Sequence, residues 1–522
     1  MPRQSQVSHA PGAGSARIRM SRSRSGVSEP RLRIRGKSVV LVRDDLRRLL
    51  GLMAGILAAA WPAALPAQVV GVAERVEELA VQPAAAPRPA LKYRLLPALS
   101  EQTPGVAAPL YAQAFLALQE RKVDEATWAK LQGEWPNAAL EELPKEELRQ
   151  ALEQLRPVLQ VVDEASRRRR YGLELTPDEY ARILPALRPQ PEAFRTLARI
   201  LMVRTRLHIL DGDCEGAIRS LRSGYAMARH CAEQPTVVHA LVGIALAGIM
   251  NHSAREVIQM PDAVNLYWAL TALPERFVDL GPVFEFDALV FEQMFPEYVH
   301  AKAEGATPEH WQTMLDKIVS SPPWSWTARV WQEPTKAADK SSDASKPALD
   351  ALLAKALPVA RRVLRESGIS ETDVERMSPA ELAARAALEA YQTHRDETAK
   401  WCYLPYAQAE RPIQEEADKL ARLAHEAGMQ WDAVSEGGIL MQAAARLDRD
   451  LAALRCLEAI RLHAASHSGQ LPERLEDITE VPVPPNPLTG QPFRYRAEER
   501  YVILDIDGGA VAYQWWIRLA DR

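Results

Sequence analysis

The 522-residue chain is short of most features that announce a function. It has four cysteines (Cys214, Cys231, Cys402, Cys456) and no CxxC or close pair, which excludes a zinc knuckle or dithiol redox motif. Glycine is sparse, 25 residues against 38 prolines, which excludes a collagen-like or glycine-linker chain. Aromatic residues are 6% of the total. No G-x-S-x-G and no phosphate-binding glycine loop occurs. His425-Glu426 lacks the second histidine of a metalloprotease helix, and Asp505-Ile506-Asp507-Gly508 lacks the later glutamate of a calcium loop. The sequence therefore assigns no catalytic, cofactor-binding or metal-binding residue and no cofactor.

What it does have is an uneven distribution of charge. Up to Arg48 there are twelve Lys/Arg against three Asp/Glu, a net of +9, which leaves −13 for the rest of a chain whose total is −4. An acidic body argues against nucleic acid as a partner, because counterion release needs clustered Lys/Arg. The one basic run in the body, Arg167–Arg170, reads as a solvated helix end, with a docking patch as the alternative.

Residues 1–48 read as a disordered basic leader. Residues 49–67 follow as an uncharged apolar stretch (LLGLMAGILAAAW) and a small-residue exit, the order of a secretory signal cleaved after Ala67. A retained membrane anchor is the alternative. The stretch is short for a span, which needs about 20 residues. Residues 68–90 read as a helix-capable stretch and a Pro/Ala linker.

Beyond the leader the apolar spacing is helical, as in Leu110, Ala114, Phe115, Leu118 and in Leu148, Leu152, Leu155, Leu159. Thr176-Pro177, Thr307-Pro308 and Ser378-Pro379 are helix starts, each a capping hydroxyl before a proline and an acid. Two helices meet at Asp211-Gly212-Asp213, where the aspartates, close to His208, read as turn former and cap. The passage Gly212-Asp213-Cys214-Glu215-Gly216-Ala217-Ile218 resembles the turn of a tetratricopeptide (TPR) hairpin, with Cys214 in place of the family's aromatic and Gly224 in place of alanine; no second copy follows at that period. Val237–Met250 is apolar all round, and at 14 residues predicts a central buried helix, with Ala240, Gly243, Ala247 and Gly248 admitting close neighbours. His239 within it reads as a hydrogen-bonded core histidine. Trp324, Trp326 and Trp331 read as a loop anchor or a sugar or peptide platform.

The carboxyl end predicts a helix from about Ala443 to Ser466, then strands over Tyr501–Ile506 and Val511–Ile517 joined at Asp507-Gly508-Gly509. The order helix, HSGQLPERLEDI, PPNPLTGQPFRY, small sheet resembles the carboxyl half of pseudopilins. That family's hydrophobic helix and processing motif do not adjoin it, so it reads as a packing module. Cys456, His463 and His467 share one side of the helix, opposite Leu447, Leu451, Leu454 and Leu457. Along the axis Cys456 lies about 10 Å from His463, too far for one ion.

The expected architecture is mainly α: antiparallel helical hairpins, TPR-like or α-solenoid-like, with a small α+β carboxyl-terminal module ending in a β-hairpin. The expected parts are a hairpin domain (91–332), a flexible linker (333–347), a second helical region (348–442) and the pseudopilin-like module (443–522). The expected role is an exported scaffold binding a protein or peptide in the cell envelope. The alternative is an envelope hydrolase with its site between helical body and carboxyl module.

Overall fold

The helix starts written in the sequence carry their hydrogen bonds. Thr176 Oγ1 accepts from the Glu179 N–H at 3.3 Å, Thr307 Oγ1 from His310 at 3.3 Å and Ser378 Oγ from Glu381 at 3.2 Å. Such caps satisfy donors that have no partner within the helix. The computed structural model describes residues 32–34, 37–39, 75–172, 176, 179, 190–294, 298–299, 301, 306–320, 346–428, 436–506 and 513–520. The apolar stretch 49–67, the tryptophans 324, 326 and 331, the linker 333–345 and the turn 507–509 lie outside them.

Residues 1–46 form one unit and 47–522 another. Within the first, β1 (Leu32–Ile34) and β2 (Lys37–Val39) pair antiparallel, so these residues depart from the expected disordered leader. Their alternating Leu32, Ile34 and Val39 suit a ladder.

The second unit is mostly helical with a four-stranded mixed sheet. Strand β3 (Arg75–Val81) is followed by α1 (Ala108–Gln119), α2 (Lys145–Gln154), α3 (Arg156–Ser166), α4 (Gln190–Leu210), α5 (Cys214–Ala232) and α6 (Val237–Ile258). Next come α7 (Gly281–Met294), α8 (Pro308–Ser320), α9 (Lys346–Glu366), α10 (Pro379–Ala399), α11 (Tyr406–Glu426) and α12 (Glu436–Ser466). Strands β4 (Arg494–Ala497), β5 (Val502–Asp505) and β6 (Tyr513–Leu519) close the order. The Leu148–Leu159 periodicity belongs to two helices, α2 and α3, divided where Pro157 enters the first turn of α3.

Among the described residues of 68–90, the expected helix-capable stretch is a strand, and only 82–90 is without helix or strand. Arg75–Val81 is a strand paired in parallel with β6, and the sheet order is β3-β6-β5-β4. Alternation explains it: Leu79 and Val81, on one face, are buried, whereas Val76 and Glu78, on the other, are exposed. The carboxyl hairpin β5–β6 is therefore half of a sheet completed by the beginning of the body.

Helices α4, α5 and α6 pack on one another, and α6 on α12. Helix α6 is 22 residues long rather than 14, because Asn251–Ile258 continue it; by length and composition it could cross a membrane, but 56% of its apolar window is buried inside the fold. A Cβ at Gly243 would stand 2.9 Å from the Ala228 carbonyl oxygen on α5, which is why that pair needs glycine; at Gly248 it would meet nothing within 4 Å. Trp311 on α8 and Leu388 on α10 share a separate small core, so α8 packs with the second helical region rather than the first.

Two arginines hold the interior together. Arg461 on α12 is fully buried; its Nε donates to Gln82 O at 2.9 Å, Nη2 to Ala263 O at 2.7 Å and Nη1 to Glu458 at 2.8 Å. Burial raises the Glu458 carboxyl pKa, and Arg461 and the Leu266 N–H pull it back. Arg206 on α4 donates to both Glu256 oxygens and to the carbonyls of Trp135 and Ala138.

Candidate functional site: an arginine-rimmed cavity

The run Arg167–Arg170 is not a free helix end. Arg167 caps α3, but the chain beyond it is held extended on both sides. On one side Thr103, Ala107 and Ala108 donate backbone N–H groups to the carbonyls of Arg167, Arg170 and Tyr171. On the other, α5 supplies His230 from its last turn and Glu233 from its carboxyl-terminal cap. His230 Nε2 lies 3.0 Å from the Arg168 carbonyl and Nδ1 lies 3.0 Å from the Tyr111 hydroxyl. A carbonyl only accepts, so Nε2 carries the proton and Tyr111 donates to Nδ1. Burial lowers the His230 pKa to about 4, which keeps the ring neutral. Glu233 accepts the Tyr171 N–H, and its carboxylate lies 3.9 Å from Arg170.

This clamp turns the arginines toward a cavity of about 600 Å³. Five arginines line it (Arg94, Arg168, Arg169, Arg170, Arg229) against two carboxylates, Glu233 and Asp279. Its apolar wall includes Leu95, Phe277, Val278 and Val283, all buried. Asp279 is committed to the start of α7, where it accepts the Gly281 N–H at 3.1 Å. Arg168 pairs with Glu164 at 2.7 Å. Among the described residues, the guanidiniums of Arg94, Arg169 and Arg229 make no hydrogen bond or ion pair. Each guanidinium carries five donors in a fork that matches carboxylate geometry, so the cavity offers unused donors beside an apolar surface.

The residues singled out from the sequence are dispersed. Asp213 is the cap of α5, accepting the Gly216 N–H at 2.8 Å, and lies 3.0 Å from His208. Asp211 bridges Lys145 and Arg149, each at 2.7 Å. His239 is 2% exposed beside its cap Thr236, and burial lowers its pKa to about 4. All four cysteines are free, with Cys231 and Cys456 buried. Cys456 and the leucines of α12 are buried alike, so that helix has no polar face at Cys456. His463 and His467 do come together, with Glu480 as an unforeseen third member. Arg94 and Arg229 were also missed: each is an ordinary arginine in its own stretch, and only the fold gathers them.

No protein-family model matches the chain, and no curated protein or solved structure matches it.

Proposed function

We propose that this chain is an exported helical scaffold, TPR-like at its α4–α5 hairpin and pseudopilin-like at its carboxyl end, that binds an acidic peptide segment of a partner protein in the cell envelope. The observation that carries the reading is the cavity beside α5, where unpartnered guanidiniums border buried apolar side chains. That combination suits a peptide presenting both carboxylates and apolar side chains. The body beyond the leader is net acidic, so this basic spot is a local attractor for anionic groups. Export rests on the leader pattern, and the hairpin likeness on the Gly212-Asp213 turn, in which Gly212 has a φ of 72°.

Fluorescence anisotropy with labelled Glu/Leu-rich peptides tests the binding. Micromolar affinity that weakens with salt and disappears on charge reversal of the peptide is expected. Equal binding of acidic and basic peptides would sink the reading. Fractionation followed by amino-terminal sequencing, expected to begin at Gln68, tests export. An envelope hydrolase is the second reading, favoured by the histidine pair of α12 beside Glu480; a hydrolase screen comparing wild type with His463→Ala tests it.

A further inference from the structure

His463 in the last turn of α12 and His467, one residue past its end, are four residues apart, and the His467 N–H donates to the His463 carbonyl at 3.0 Å, so both rings project from one side of the helix. The rings stack with centroids 3.8 Å apart and an interplanar angle of 16°. Ser468 and Gly469 then take left-handed backbone conformations, with φ of 55° and 86°, and end the helix. The chain passes through a short 3₁₀ turn at Leu475–Asp477, and Glu480 comes back onto the rings. Its Oε2 lies 3.5 Å from His463 Nδ1 and its Oε1 lies 3.3 Å from His467 Nδ1. One ligand atom from each of the three side chains lies within 4.8 Å of the others.

Two independent features mark this cluster as a ligand site. First, the His463 side chain is 7% exposed, and its Nδ1 is buried with no hydrogen bond among the described residues, the Glu480 carboxylate standing off at 3.5 Å. Such a nitrogen is costly unless something fills its lone pair or takes its proton. Second, the carboxylate is held in place by its surroundings: Ser466 Oγ donates to Oε1, and the Thr479 N–H donates to Oε2 at 3.0 Å. Supporting hydrogen bonds of this kind orient metal ligands.

We propose that His463, His467 and Glu480 form a binding site for a Zn²⁺-class divalent ion. Bonds of ~2.0–2.1 Å in a tetrahedron separate neighbouring ligand atoms by about 3.3 Å; the two carboxylate oxygens lie 3.5 and 3.3 Å from the two Nδ1 atoms, and the stacked rings turn about their side-chain torsions to aim both nitrogens at one ion. Two imidazoles and a carboxylate suit zinc and its first-row neighbours rather than calcium or magnesium. His467 is 46% exposed and Glu480 17%, so the remaining coordination position faces water. His467 Nδ1 also lies 3.0 Å from the His463 carbonyl, to which only a protonated nitrogen can donate; an ion at that nitrogen displaces this proton to buffer. The site stands apart from the arginine-rimmed cavity, and the acidic-peptide reading neither supports nor needs it.

The test titrates the chelator-stripped full chain with Zn²⁺ and Co²⁺. Binding of one ion per chain is expected, with a cobalt d–d spectrum of nitrogen and oxygen ligands and no thiolate charge-transfer band. Removing a ligand outright costs at least the ~10–100-fold in affinity that losing its supporting hydrogen bond does. His467→Ala and Glu480→Gln therefore each weaken binding by that factor, while circular dichroism and metal-free Tm stay near wild type. Should His467→Ala fail to fold, Glu480→Gln carries the comparison. The proposal is overturned if both ions leave the spectrum and Tm unchanged at 100-fold excess, or if both variants bind as tightly as wild type. It is overturned equally if Glu480→Gln lowers the metal-free Tm and no ion restores wild-type stability, since the cluster is then an ion pair only.

Discussion

Arginine has two different roles in the same fold. At Arg461 and Arg206 the guanidinium is buried and its donors are directed at carbonyls and a carboxylate. At Arg94, Arg169 and Arg229 the same group borders a cavity with its donors unused by described residues. The first arrangement is what a stable interior demands, because a buried unpaired charge is intolerable. The second is tolerated because Arg169 and Arg229 are exposed to water. Saturation, not residue type, separates arginines that hold the molecule together from arginines available to something else.

The largest effect expected from breaking this contrast is at Arg461. Arg461→Leu leaves the Glu458 carboxyl buried without its counter-charge and costs about 3–5 kcal/mol. Thermal unfolding should show a Tm fall on the order of 10 °C. Adding Glu458→Leu should restore part of it, because the pair's burial cost goes with the pair. No recovery would mean that Arg461 acts chiefly through the Gln82 and Ala263 carbonyls.

His230 lies between the two roles, since it holds the arginine run from inside the core. Its pKa is depressed to about 4 when folded, against an ordinary 6.5. The unfolded chain therefore binds the proton first, and the stability this ring contributes is present above pH 6.5 and lost as pH falls toward 4. His230→Gln should flatten that acid arm by ~2–3 kcal/mol in urea unfolding at pH 7.5 and 4.5. It should also weaken acidic-peptide binding at pH 7.5, because the backbone of Arg168 loses its anchor. An unchanged acid arm would place the titration elsewhere, with His239 the next group to replace.

At the cavity the signs reverse. Arg169→Ala with Arg229→Ala should leave stability within ~0.5 kcal/mol while lowering acidic-peptide affinity about 10-fold or more. Loss of stability without loss of affinity would erase the distinction. The smallest effect is expected from Arg169→Lys, which keeps the charge and loses the fork; a few-fold weakening, read by anisotropy, would show that geometry counts beyond charge.

Helices were legible where the information is local. The hydroxyl caps at Thr307 and Ser378, the stop at Asp211-Gly212 and the apolar run of α6 all act within a few residues. Strand β3 was not. Its sequence, RVEELAV, has helix-forming residues, and what makes it a strand is a partner far along the chain. The shared side of His463 and His467 was readable from their four-residue spacing, whereas Glu480 was hidden in a proline-rich passage whose path no local rule supplies. The arginine cavity was the least legible, because Arg94, Arg168 and Arg229 come from three separate segments.

The pairing of β3 with β6 makes synthesis order matter. Glu77 on β3 and Tyr513 on β6 are hydrogen-bonded across 436 residues of sequence. A chain emerging from the ribosome amino end first exposes β3 long before its neighbour exists, leaving a bare edge that invites association with other chains. A product cut short before Tyr513 would keep that edge for good. Strand β6 thus works as a latch, engaged only when the segments between it and β3 have been made.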